Sequence, residues 1–233
     1  MYRSARFAVQ FGSVALAASF LLAPSTALAG ITQETVTIGS GAKVEMKADL
    51  VKVLLSVRAE RKTASAAEDA LARKARKVIG ALKAAGFRNV KTTDIHISRQ
   101  TEKGKLTGYL GSMALKVETG QTRAAGEIID AATRAGASGV RDVIFDVKDK
   151  RAAVEQALAE AMDFAEVKAR VLAESADRQL GRALKIQEGS TAAPRAVHFL
   201  ADFGGGEDDG GTLPIKAPKL SASARIRVTF ELI

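Results

Sequence analysis

The sequence predicts an α+β domain, in which three main helices pack on a mixed or antiparallel sheet of about six to seven strands. Two patterns carry that prediction. Stretches with strict period-two alternation, such as Val51–Glu60 and Arg225–Leu232, read as strands with one buried face. Three longer stretches with apolar residues three and four apart read as helices, and they fall between the strands. No Pro- or Ser-rich linker divides the chain, so residues 30–233 are expected to form one domain.

The elements follow in order. Ile31–Gly39 alternates well enough to be a strand, and Ser40-Gly41 and Lys47-Ala48-Asp49 read as turns around a short piece, Ala42–Met46. In the next strand Val51, Val53, Leu55, Val57 and Ala59 share one face, opposite Lys52, Ser56, Arg58 and Glu60. Thr63 or Ser65 is placed to cap a helix to about Ala85, and Ser65-x-x-Glu68 has capping-box spacing. Its stripe is Ala67, Leu71, Ala75, Val78, Leu82 and Ala85, and Gly86 ends it. Asp94–Gln100 and Leu106–Glu118 form a hairpin around Glu102–Lys105. A second helix is expected over about Thr122–Ala135, then a strand over Val140–Val147. Asp149 caps a long alanine-rich third helix to about Ala176, with an expected core stripe of Val154, Leu158, Ala161, Ala165 and Leu172. Arg182–Gln187 is a strand, and residues 189–219 read as a long mobile insertion. The alternating C-terminal strand is a candidate for edge pairing between chains.

The N-terminus predicts export. Arg3 and Arg6 precede an apolar run over Phe7–Ala23, and Ala27-Leu28-Ala29 then offers a small-residue cleavage site, so residues 1–29 read as a cleavable signal peptide. Removing them leaves 33 basic against 26 acidic residues, a net charge of +7. No later stretch is long and apolar enough to span a bilayer, so no transmembrane segment is expected in the mature chain. The chain has no cysteine, which excludes disulfides, lipidation at cysteine and thiol catalysis. A bacterial periplasm suits these features.

Composition narrows function further. Tryptophan is absent and aromatic residues make up 5%, which argues against stacking platforms for sugars or bases. With export, nucleic acid is not expected as a partner. The positive balance fits an anionic envelope component instead. Arg73, Lys74, Arg76 and Lys77 on the first helix are the candidate contact residues.

Candidate chemistry is sparse. Asp94 and His96 share one strand face, but zinc needs three or four ligands and no third is apparent. His198 reads as a loop histidine beside Phe199 and Phe203. Glu207-Asp208-Asp209 lacks the alternating spacing of a calcium loop. The glycines at 204–206 and 210–211 do not join a strand to a helix, as a phosphate cradle would require. No Gly-x-Ser-x-Gly elbow occurs. No catalytic, cofactor or metal residue is therefore assigned.

Several segments follow one another in order: Gly108-Tyr109 through Leu115-Lys116-Val117, Ile128-Ile129-Asp130-Ala131-Ala132 with Ala135-Gly136-Ala137, and Phe145-Asp146-Val147. Further along come Ala157, Ala161, Ala165, Lys168-Ala169 and Leu172-Ala173, then Leu180-Gly181-Arg182 and Ile186-Gln187-Glu188-Gly189. In this order and spacing they resemble the SIMPL-domain family of exported periplasmic immunogenic or oxidative-stress-defence proteins. The resemblance implies a periplasmic place and a role in envelope or stress physiology, and some relatives look like ring-forming or channel-like oligomers. The expectation is a non-enzymatic protein acting through its surface as a homo-oligomer. The alternatives are a periplasmic small-molecule or lipid binder, and a hydrolase using an Asp/Glu pair.

Overall fold

The computed structural model describes residues 33–199 and 215–233. The signal sequence read over 1–29, and the acidic and glycine-rich stretches at 204–211, lie outside the described residues. The elements are β1 (Thr35–Lys47), β2 (Leu50–Arg61), α1 (Ala64–Ala84), β3 (Val90–Glu102), β4 (Lys105–Thr119), α2 (Ala125–Arg134), β5 (Gly139–Asp146), α3 (Lys150–Ser175), β6 (Leu180–Ala192), β7 (Val197–Phe199) and β8 (Lys219–Leu232).

The α+β class and the three main helices hold, and every described strand pair is antiparallel. The eight described strands form two sheets rather than one. A five-stranded sheet runs β3-β4-β2-β5-β7, and a three-stranded sheet runs β1-β8-β6. The first and last long strands pair with each other over thirteen unbroken positions, Thr35↔Glu231 through Lys47↔Lys219, which removes both from the larger sheet. That pairing is invisible to local periodicity.

Each sheet is covered on one face. The β2 alternation delivers Val51, Val53, Leu55 and Val57 to the core, opposite Val117, Leu115 and Met113 of β4. Leu71, Val78 and Leu82 of α1 and Ile128 and Ile129 of α2 close over them. On the smaller sheet α3 packs against Ile38, Val228 and Phe230. The buried row of α3 is Ala153, Ala157, Ala161, Ala165, Ala169 and Ala173. Leu172 of the expected stripe is 51% exposed, and Val154 and Leu158 are only half-buried. Small side chains on both sides explain this: β1 and β8 offer Ser40, Ala42, Ala222 and Ala224, so the helix lies close to the sheet backbone and only alanine fits between.

Three local readings change, and the choice between Thr63 and Ser65 as the α1 cap is decided for Thr63. β1 runs unbroken through Ser40-Gly41, because both residues are held in register with Ile226 and Arg225. The cap of α1 is Thr63, whose hydroxyl accepts from Ala66 N–H at 3.3 Å. Residues 189–192 belong to β6, Val197–Phe199 form β7, and Lys219 opens β8, so the expected insertion 189–219 is structured at both ends. The C-terminal strand β8 is the centre of its sheet and has no free edge to offer. Asp149 caps α3 as expected, accepting from Ala152 N–H at 2.8 Å. The β3–β4 hairpin turns through Lys103 and Gly104, both at positive φ (49° and 80°), the geometry of a two-residue type I′ turn.

One buried carboxylate pins the end of β5. Asp146 is 5% exposed and meets the ammonium groups of Lys150 (2.9 Å) and Lys52 (3.3 Å) and the N–H of Val147 (2.9 Å). Burial alone would raise its carboxyl, but Lys150, the Val147 N–H and Lys52 outweigh that and hold it below the usual carboxylate range. Asp49, in the link from β1 to β2, fixes the next step of the chain by accepting from Lys148 N–H at 2.8 Å.

Candidate functional site

A concavity whose charged lining residues are all cations lies where the C-terminal end of β2 meets α1. The β2–β5 ladder ends at Ser56↔Gly139, while β2 continues along β4 to Arg61. The last residues of β2 therefore keep an open flank beside α1. A cavity of about 370 Å³ there is lined by Arg58, Arg61, Arg73, Lys74 and Lys77 over Ala59 and Ala70. Helical spacing explains the α1 contribution, since residues 70, 73, 74 and 77 share a face.

The sequence candidates Arg73, Lys74 and Lys77 thus come together, whereas Arg76 is not among the lining residues. Arg58 and Arg61 were missed. They arrive from a strand, and only the tertiary fold puts them beside the helix. Parts of the rim are anchored by backbone contacts. Lys74 Nζ donates to the Arg58 carbonyl (3.0 Å) and to Ser138 Oγ (3.5 Å), Ser138 Oγ accepts from Arg58 N–H (2.8 Å), and the Arg61 guanidinium donates to the Glu60 carbonyl (2.6 Å). Among the described residues none of the five cations forms an ion pair with a carboxylate within 4.0 Å.

A second surface is apolar. Phe164, Val167 and Val171 stand on one side of α3 with Leu172 beside them, and Val167 and Val171 are 61% and 56% exposed. Val167, Val171 and Leu172 line a groove with Thr37, Ile38 and Gly39 of β1. The groove borders the outer edge of β1, to which no strand is hydrogen-bonded among the described residues. β6, the opposite edge, differs: its register with β8 is broken at three places, after Leu180, Ala183 and Glu188.

The remaining candidates are dispersed. Asp94 and His96 are both exposed on the open face of edge strand β3, opposite Ala114 and Ser112. His198 lies on strand β7, not in a loop, and its Nδ1 sits 2.6 Å from Asp142 Oδ2. Among the described residues no group of three His, Cys, Asp or Glu side chains is placed to hold a metal. A cleft between α3 and β6 holds Glu166 and Glu174 among Arg170, Arg178 and Arg182, and Glu166 is paired with Arg170 at 2.8 Å. Arg178 is engaged by Glu34 through two contacts, 2.7 and 3.4 Å, which hold the Glu34 carboxyl below its usual range. No described helix is long and apolar enough to cross a membrane.

The chain is a two-sheet α+β protein. Residues 36–230 match the family model SIMPL, described as "Protein of unknown function (DUF541)", and the chain belongs to the SIMPL family. No curated protein matches it.

Proposed function

We propose that the chain is an exported, non-enzymatic periplasmic protein that works in envelope or oxidative-stress defence by presenting its surfaces from a homo-oligomer. The signal-like N-terminus supports export, and the resemblance to stress-defence proteins supports the setting. The observation that carries the assembly step is the outer edge of β1. Thirteen residues, about 44 Å of strand at about 3.4 Å per residue, keep an unbroken register with β8 on one side and have no partner strand on the other among the described residues. A long regular edge is a template for pairing, whereas bulges such as those along β6 discourage it.

Pairing β1 with β1 of a second copy across a two-fold axis joins two three-stranded sheets into six. An axis perpendicular to the sheet places both α3 helices on one face, with their Val167, Val171 and Leu172 grooves toward each other. Such an interface is isologous and closes at two copies.

Light scattering on size-exclusion chromatography tests this reading with V167K/V171K, which places charge on two exposed positions and leaves the monomer core intact. The expected result is a dimer, or a multiple of it, for the parent chain and a monomer for the variant. A parent chain that stays monomeric at about 100 μM, far above the micromolar range of ordinary specific association, removes the assembly step.

A further inference from the structure

We infer that the cleft between β2 and α1 is a binding site for a phosphate group. The inference uses different residues from the β1 edge, so either can fail while the other stands. Three features carry it.

The first is uncompensated charge. Arg58, Arg61, Arg73, Lys74 and Lys77 converge on one concavity of about 370 Å³, and no carboxylate pairs with any of them among the described residues. Outside the cleft Lys52, Lys116, Lys150, Arg151, Arg170 and Lys219 each meet a carboxylate at 3.3 Å or less, while many other described cations meet none, so the mark of the cleft is the convergence of five cations in one concavity. Acids are at hand, with Glu60 next to Arg61 and Asp69 one helical turn before Arg73, yet neither forms an ion pair with the cleft. Like charges held together repel, and an anion entering the cleft relieves that repulsion.

The second is partial preorganisation. Lys74 is half-buried and held by the Arg58 carbonyl and Ser138 Oγ, and the Arg61 guanidinium is held by the Glu60 carbonyl. A side chain already fixed loses less rotamer freedom when the anion arrives.

The third is the match of donors to ligand. Three guanidinium groups present planar forks suited to two oxygens of one phosphate, and two ammonium groups supply compact charge. The floor is Ala59 and Ala70, which leaves room for the group that carries the phosphate. Phosphate chemistry outside the cytoplasm has two sources, a phospholipid headgroup or a soluble phosphate or phosphoester, and the test separates them.

The whole purified chain is melted at low ionic strength in sodium phosphate and in sodium chloride of equal ionic strength, and is sedimented with vesicles of phosphatidylglycerol or of phosphatidylcholine. The variants are R73Q/K77Q, R61Q as a single change in the cleft, and R76Q as an equally basic position outside it. The expected result is a melting temperature several degrees higher in phosphate than in chloride for the parent chain and R76Q. R73Q/K77Q abolishes that difference, and R61Q reduces it. Binding to phosphatidylglycerol vesicles that free phosphate competes away assigns the headgroup source. A phosphate-specific rise without vesicle binding assigns the soluble source. The inference is overturned if phosphate and chloride act alike and no vesicle binds. It is equally overturned if vesicle binding resists competition by phosphate, or if R76Q loses as much as R73Q/K77Q, because attraction would then be spread over the whole basic surface.

Discussion

Ala169→Leu on α3 is expected to destabilise the protein more than removing any exposed apolar side chain of that helix. Ala169 is fully buried and packs within the cluster of Ile38, Val228 and Phe230. Leucine adds three carbon atoms at a contact where the sheet also presents small residues, including Ala42. Extra methylenes in a packed core cost about 1–3 kcal/mol. The upper end applies here, because Ala169 is fully buried and the added carbons must push the helix and the sheet apart. For a domain of this size about 3 kcal/mol lowers Tm by about 6–12 °C. The comparison is Leu172→Ala, at a side chain 51% exposed, with an expected change within about 0.5 kcal/mol. Thermal and urea melts at submicromolar concentration give both numbers without a contribution from association. A169L as stable as the parent, or L172A losing 2 kcal/mol or more, would show that α3 meets the sheet through the larger apolar residues and would refute the alanine contact.

Two further expectations concern Asp146 and the helix caps. The depressed carboxyl of Asp146 binds a proton less readily folded than unfolded, so its contribution is present at neutral pH and is lost as pH falls below about 4, through the folded value. Asp146→Asn is expected to cost about 1.5–3 kcal/mol at pH 7 and to flatten the acid limb of the stability curve, read by urea melts from pH 2 to 7. Thr63→Ala and Asp149→Ala each remove a side-chain acceptor from the first turn of a helix and are expected to cost about 1 kcal/mol. Ser65→Ala is expected to be near neutral in the same melts, since the cap lies at Thr63.

The elements built on local rules were legible in the sequence. The β2 alternation, the Asp149 cap and the hairpin turn at Lys103-Gly104 each follow from a few neighbouring residues. The α3 contact was not, because alanine carries a weak hydrophobic signal, and the larger Leu172 drew the stripe toward solvent. The division into two sheets escaped for another reason. Thr35 and Glu231 pair across almost the whole chain, and nothing in either strand names its partner. The same limit hid two of the five cations of the basic cleft: Arg73, Lys74 and Lys77 announce themselves as a run on one helix, but Arg58 and Arg61 join them only because β2 outruns β5.

Amide hydrogen exchange along Thr35–Lys47, followed as a function of protein concentration, tests the assembly of β1 edges most directly. In an isolated edge strand alternate amides bond to β8 and the others face solvent. Pairing with a second copy predicts that the solvent-facing set slows by at least tenfold as concentration rises through the association range, while V167K/V171K keeps the alternating pattern throughout. Fast exchange of that set at every concentration, in the parent chain and the variant alike, would contradict it.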